Sequence, residues 1–228
     1  MRVDPHHPFL TSLSAQERRV IERISSPHDV QGLLDGFVYS SDSWYRSPWR
    51  TLRDRKAHCY DGAVFAAALL SLLGHPPLIV NMFPNSRDDE HLVATFRIRG
   101  AWGAVGKSNF VGLRYREPIH RTLRELMISY FEQFYNVAGE KTLRSYTRPL
   151  TISIRKFGMW VSDDDAMERI ADALNTMRRF PVVTPPMVRT LTKVDPRSYE
   201  AGLQGSVPEG LFKLSPSRTI ARRRRQSG

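Results

Sequence analysis

Cys59 is the only cysteine in the chain and lies where a polar segment meets an apolar one. Residues 53–58 are mostly charged or polar, whereas residues 61–73 are apolar and rich in alanine. This change predicts a helix that begins at Cys59. The positive end of a helix dipole favours the thiolate, so we expect the pKa of the Cys59 thiol to lie below its free value of about 8.5.

A histidine in a suitable position follows at His91, 32 residues later, at the head of a strand-like run. That spacing leaves room for one helix and one strand between the two. A thiol nucleophile requires an imidazole that takes and returns its proton. Most free cysteines do no chemistry and pack as small hydrophobic residues, but the charged residues before Cys59 favour the start of a helix over its interior.

The elements around these two residues predict an α+β domain with an antiparallel sheet. Capping signals predict helices after Ser14 and Ser26, and residues 38–56 are expected to form an irregular loop over the site. Gly74 is expected to end the cysteine helix. Further elements follow from the same patterns: strands at 78–82, 91–98 and 102–105, an extended segment at 108–115, a helix from Pro118, a strand at 150–157, a helix from 163 and a last strand at 181–183.

Several of these features together resemble the transglutaminase-like superfamily. They are the run Ala57-His58-Cys59-Tyr60-Asp61-Gly62-Ala63, the Leu-Leu-x-x-x-Gly pattern ending at Gly74, His91 at a strand start and Trp102 after the hairpin glycine. The resemblance covers roughly residues 27–136. It implies a papain-like core in which a buried helix carrying the cysteine packs on an antiparallel sheet carrying the histidine.

The resemblance also implies a reaction and a third residue. The cysteine attacks an amide carbonyl to give a thioester, which passes to water or an amine, and an aspartate about four residues past the tryptophan orients the histidine. Gly106 stands at that place here. Asn109 is the expected substitute, since an asparagine carbonyl oxygen can accept a hydrogen bond from the imidazole. Asp89 and Ser108 remain alternatives for the residue that orients the histidine. Asn109 could equally be a residue at a strand end that hydrogen-bonds the local backbone.

Composition limits the other classes of function. The 228 residues carry a net charge of +11, and no run of residues is long and apolar enough for a signal peptide or a membrane span, which predicts a cytoplasmic protein. No cofactor or metal is expected. Gly106-Lys107-Ser108 does not make a phosphate-binding loop, because the glycine five residues earlier is replaced by Ala101 and a strand follows.

The predicted organisation has four parts: a helical lead-in at 1–26, the core at 27–136, an α/β extension at 137–199 and a basic, disordered tail at 200–228. The expected function is that of a cysteine enzyme acting on a peptide or amide substrate, by hydrolysis or acyl transfer. Hydrolysis is favoured, because nothing resembles the calcium sites of crosslinking transglutaminases. The alternative is an inactive binding module that holds an acidic protein or nucleic acid through Arg222, Arg223, Arg224 and Arg225.

Two further expectations concern the surroundings of the thiol. Trp44 or Trp49 could donate an indole N–H toward an oxyanion beside the backbone N–H of Cys59, although aromatic residues in such a loop more often serve packing alone. His58 is expected to be exposed and without a catalytic role.

Overall fold

The computed structural model describes residues 7–213. Its helices are α1 (Pro8–Thr11), α2 (Ala15–Ile21), α3 (Pro27–Asp35), α4 (Pro48–Asp54), α5 (Cys59–Leu72), α6 (Leu123–Ile128), α7 (Ile154–Phe157), α8 (Asp165–Asn175), α9 (Pro185–Arg189) and α10 (Pro196–Gly202). Its strands are β1 (Val38–Tyr39), β2 (Lys56–Ala57), β3 (Leu78–Pro84), β4 (His91–Ile98), β5 (Ala101–Val105), β6 (Arg116–His120), β7 (Leu143–Thr147), β8 (Leu150–Thr151) and β9 (Arg179–Pro181). Short 3-10 turns occupy Val111–Leu113, Phe131–Gln133 and Pro208–Gly210.

The main sheet has the strand order β6-β5-β4-β3-β7-β9, and β8 pairs with the far end of β3. Every pairing in this sheet is antiparallel. The predicted α+β class with an antiparallel sheet is therefore confirmed. In the central β3–β4 pair, Met82 faces His91 and Asn81 faces Leu92, which brings the head of β4 beside the last residues of β3.

Helix α5 packs on one face of the sheet and is buried along almost its whole length. It is apolar on all sides, which is typical of a helix surrounded by other elements. Leu92 and Ala94 of β4 belong to the hydrophobic cluster around α5. Val93 belongs to a second cluster on the opposite face, where α6 and the following turn pack.

The N-terminal helices begin where the sequence predicts. Ser14 and Ser26 each form a capping box, with Glu17 and Asp29 respectively as the acidic partner. Gly74 follows the end of α5 with φ +84°, a conformation that glycine adopts without strain. The prediction of an irregular loop at 38–56 is wrong in part, because Ser47 caps helix α4 there and β1 and β2 pair.

The sequence misplaces the helix expected from Pro118. Pro118 lies within β6, an edge strand of the main path, where the missing N–H of proline costs no ladder hydrogen bond. Ile119 beside it is 74% exposed instead of buried. The helix begins only after Thr122, whose side chain accepts a hydrogen bond from the backbone N–H of Glu125 at 3.1 Å.

Other segments also differ from expectation. The run 108–115 contains a 3-10 turn instead of extended chain, β7 was not foreseen, and 150–157 divides into β8 and α7. Residues 185–202 form two helices, so the irregular structure expected there, and the disorder expected from 200, are wrong as far as residue 213. Arg222–Arg225 lie outside the described residues. Within the described part, none of the helices is long and apolar enough to cross a membrane.

Gly106-Lys107-Ser108 is a structural connection between α3 and the sheet. The Gln31 side chain exchanges two hydrogen bonds of 3.1 Å with the backbone of Gly106. The buried Lys107 ammonium donates to the carbonyl oxygens of Leu34 at 2.9 Å and Phe37 at 2.5 Å. Lysine thus satisfies carbonyls at the C-terminal end of α3, which is the pole that favours a cation.

We predict that Gly62→Ala destabilises the protein by about 1–3 kcal/mol, the usual cost of overpacking. A Cβ on Gly62 would lie 2.4 Å from the Cβ of Lys107, inside the contact of α5 with this connection. Thermal unfolding of the variant measures the loss.

Gly32→Ala is the matched control. It also places a methyl group on a helical glycine, but nothing lies within 4 Å of the new atom, so its stability should be equal or higher. Equal melting temperatures for Gly62→Ala and the wild type would contradict the predicted clash.

Candidate active site

The start of α5 is capped by the residue before the cysteine. His58 Nδ1 accepts hydrogen bonds from the backbone N–H groups of Tyr60 at 3.1 Å and Asp61 at 3.4 Å. The Asp61 carboxylate accepts in return from the backbone N–H of His58 at 3.4 Å. Burial lowers the pKa of His58 to about 4. The expectation that His58 is exposed is therefore wrong, because its ring is enclosed as the helix cap.

The Cys59 sulfur lies against the backbone at the head of β4. Its thiol donates to the carbonyl oxygen of Glu90 at 3.6 Å, and the backbone of Leu92 also interacts with it. Burial, with smaller contributions from the carboxylates of Asp61 and Asp89, raises the pKa of the thiol to about 12. The expected lowering of this pKa is wrong. Backbone groups of Leu92 and Tyr60 act in the opposite direction, but burial is the larger effect.

His91 is held by a backbone carbonyl. Its Nε2 lies 2.7 Å from the carbonyl oxygen of Leu113 and donates to it, since a carbonyl can only accept. The ring packs edge-on against Tyr130 and Phe134, and burial lowers its pKa to about 4. The imidazole is therefore neutral at pH 7. With the proton on Nε2, Nδ1 is the nitrogen able to accept one.

Cys59 and His91 approach the same cleft from different sides of β4. The His91 ring lies on the face of Val93 and Tyr130, whereas α5 packs on the face of Leu92. The cleft has a volume of about 700 Å³, and Cys59 and His91 are both among the residues that line it. Cys59 is half-buried, whereas His91 is buried.

The structure does not bring Asn109 to the imidazole. Its amide makes two hydrogen bonds to the backbone of Val207, donating to the carbonyl oxygen at 2.8 Å and accepting from the N–H at 2.7 Å. Ser108 Oγ accepts from the backbone N–H of Phe110 at 3.0 Å. Asp89 is an exposed residue just before β4, and burial of its carboxylate still raises its pKa. The partner of His91 is the Leu113 carbonyl.

Neither tryptophan named as an oxyanion donor lines the cleft. Trp49 donates its indole N–H to the carbonyl oxygen of Ser12 at 3.1 Å, and Trp44 is 42% exposed. The Trp44 ring is covered by the guanidinium of Arg46, 4.0 Å from the ring centroid. Both rings serve to pack the segment between β1 and α5.

Tyr39 and Asn81 line the cleft and were missed from sequence. Pairing of β1 with β2 places Tyr39 beside Ala57, and its phenol interacts with the backbone of Cys59. Asn81 donates to the carboxylate of Glu90 at 2.6 Å, and its own carbonyl oxygen is buried without a partner among the described residues. The available signal for Asn81 was a single amide within the otherwise apolar strand β3.

A buried arginine fixes the segment that borders the cleft. Arg46 donates to Asp54 at 2.9 Å and to Ser40 at 3.1 Å, and it also pairs with Asp42. Its backbone N–H donates to the fully buried Asp61 at 2.8 Å. Burial raises the pKa of Asp61 to about 7, although these hydrogen bonds act in the opposite direction. The network ties residues 40–47 to the first turn of α5.

Among residues 7–213 there is no group of three or more His, Cys, Asp or Glu side chains that could hold a metal ion.

Comparison with known proteins gives matches among solved structures alone. No family model and no curated protein matches the chain. A Cytophaga hutchinsonii protein named as a "putative cysteine protease" has 19% identity and a TM-score of 0.34, covering 45% of this chain and 39% of its own. The chain thus spans less than half of that protein.

Two structures of Legionella pneumophila LapG also match. The EGTA-treated form has 15% identity and a TM-score of 0.39, covering 75% of this chain and 98% of LapG. The calcium-bound form has 15% identity and a TM-score of 0.38, covering 75% and 93%. The function proposed below rests on the residues of this chain.

We predict that the alkylation rate of Cys59 by iodoacetamide rises with pH through about pH 9 without reaching a plateau. Thiolate is the reacting form, and the pKa of this thiol is raised to about 12. Intact-protein mass spectrometry measures the rate without interference, because the chain has no second cysteine. Glutathione is the reference thiol. A plateau below about pH 7 would show instead a thiolate stabilised in the resting protein.

Proposed function

We propose that this protein is a cysteine hydrolase of peptide or amide bonds, with Cys59 as nucleophile and His91 as general base and acid. One observation carries the proposal. The sulfur of a cysteine at a helix start lies against the strand backbone on both sides of His91, and both residues line one cleft.

The tautomer of His91 suits the proposed role. Its Nε2–H is anchored on the Leu113 carbonyl, so Nδ1 is free to accept the thiol proton. A carbonyl oxygen here replaces the side-chain acceptor that usually orients a catalytic imidazole. Leu113 is therefore the proposed orienting residue, and Asn109 is not required for that step.

The reaction follows in two stages. The Cys59 proton moves to Nδ1 of His91 while sulfur bonds to the substrate carbonyl carbon. The imidazolium then gives that proton to the amide nitrogen, the C–N bond breaks, and an amine leaves a thioester on Cys59. Water attacks the thioester after losing a proton to Nδ1, the C–S bond breaks, and sulfur recovers the proton. The products are an amine and a carboxylic acid.

The resting site holds both partners in their neutral forms. Burial raises the pKa of the thiol and lowers that of the imidazole, so a thiolate–imidazolium pair is disfavoured before substrate binds. Proton transfer must then accompany attack on the carbonyl. The backbone N–H of Cys59 and the phenol of Tyr39, which interacts with the backbone of Cys59, are the proposed groups that stabilise the resulting oxyanion.

We predict that Cys59→Ala abolishes cleavage of a synthetic octapeptide library, because it removes the atom that forms the thioester. His91→Gln is expected to lower the rate by at least about a hundredfold, the usual contribution of a general base. New peptide termini identified by mass spectrometry measure the rate.

His120→Gln is the matched control, because the imidazole of His120 also contacts a backbone carbonyl, that of Trp102 at 3.2 Å, but lies outside the cleft. Its rate should equal that of the wild type. Cleavage that persists in folded Cys59→Ala would refute the nucleophile. Peptides that bind in the cleft but are never cleaved would identify a binding module instead.

A further inference from the structure

The chain's own C-terminal segment enters the cleft that holds Cys59 and His91. After α10 the backbone passes through Val207 and the turn Pro208–Gly210, and residues 209–212 line the cleft. This segment, residues 207–212, is here called the strap. It is a peptide lying in the site proposed to act on peptides.

The Asn109 side chain binds the backbone of the strap, so this contact does not depend on which side chain the strap residue carries. One amide accepts from the N–H and donates to the carbonyl oxygen of Val207, at 2.7 and 2.8 Å. These are the two groups that every residue except proline presents to a neighbouring strand. With the strap in place Asn109 is only 7% exposed, and its amide holds one peptide unit of the strap.

Three residues later the strap passes through a slot that only glycine fits. A Cβ on Gly210 would lie 2.7 Å from two ring carbons of Tyr39 and 3.2 Å from Nδ2 of Asn109. Gly210 is absent from the glycines with positive φ, so the requirement is one of space and not of conformation. The Tyr39 ring that borders this slot also carries the phenol that interacts with the backbone of Cys59.

The start of the strap is anchored, whereas the strap itself is weakly held. Gly202 packs against the hydroxyl of Tyr135, which donates to the carbonyl oxygen of Ser198 at 3.0 Å, and this fixes α10 on the core. Beyond it, the Asn109 amide supplies the side-chain hydrogen bonds to the strap. Pro208 and Glu209 are exposed, and Val207 and Gly210 are half-buried. Because its start is fixed on the core and few contacts hold the rest, the strap can leave the cleft and return.

We propose that Asn109 and Tyr39 form a peptide-binding subsite that holds the backbone of one residue and requires glycine three residues later. The strap is its resident ligand. A tethered ligand competes at an effective concentration on the order of millimolar, so it keeps weaker external peptides out of the cleft. The inference that the strap restrains turnover rests on the proposed function. The inference of a peptide-binding subsite does not, because it concerns binding alone.

The test uses the full chain with Cys59→Ala, which has no nucleophile, so the result does not depend on whether the protein is an enzyme. The probe is a fluorescein-labelled peptide with the sequence of residues 206–213, Ser-Val-Pro-Glu-Gly-Leu-Phe-Lys. Adding Gly210→Ala to the chain should expel the strap and tighten binding of the probe at least tenfold, measured by fluorescence polarisation. Gln204→Ala, an exposed change before the strap, is the control and should leave the affinity unchanged.

Two further arms test the glycine slot and the amide. A probe with alanine in place of its glycine should bind at least tenfold more weakly to the chain carrying Gly210→Ala. Adding Asn109→Asp to the chain with Gly210→Ala should weaken binding of the glycine probe at least about fivefold, because a carboxylate cannot donate a hydrogen bond to the carbonyl oxygen of the probe. Where Gly210→Ala lowers the melting temperature, Val207→Pro takes its place, since it removes the N–H given to Asn109 and adds no atom at Gly210.

Equal affinity of the probe for the chains with and without Gly210→Ala, both folded, would overturn the strap as resident ligand. Equal affinity of the glycine and alanine probes would overturn the slot.

Discussion

The contact between the first turn of α5 and the first residues of β4 is the interaction on which the rest of the site depends. It places the Cys59 sulfur on the carbonyl of Glu90, one residue before His91. Sheet pairing holds β4 in register, with Met82 opposite His91, and the apolar surface of α5 holds the helix on the sheet. Any slip of the helix along the strand would separate the thiol from the cleft.

Burial at this contact keeps the Cys59 thiol in its protonated form, and nearby polar groups fix the start of the helix. The His58 ring and the Asp61 carboxylate use the N–H groups at the helix start, and the Arg46 network holds Asp61 in place. In the resting state both the Cys59 thiol and the His91 imidazole are neutral, and Tyr39 and the strap line the same cleft.

Sequence patterns predict the elements with strong local signals and fail where distant parts of the chain decide. The capping boxes at Ser14 and Ser26, the extent of α5 and the alternation in β4 are encoded within a few residues. Pro118 instead joins an edge strand because β5 lies beside it. Helix α10 forms where it packs on Tyr135, a contact that the glycines and prolines nearby do not reveal.

The site follows the same division. Cys59 and His91 are recognisable from residue type and local context, whereas their partners are not. Asn109 binds Val207, 98 residues away, and His91 binds a main-chain carbonyl that no sequence pattern marks. The pKa of Cys59 depends on burial and on the carboxylates nearby, and both are properties of the folded chain.

The most direct measurement of the central claim is a crystal structure of the protein after treatment with a peptide aldehyde. The account predicts a carbon–sulfur bond at Cys59, with Nδ1 of His91 within hydrogen-bonding distance of the adduct and Nε2 still on the Leu113 carbonyl. An adduct that leaves the imidazole turned away among Tyr130 and Phe134, or no adduct on Cys59, would contradict it.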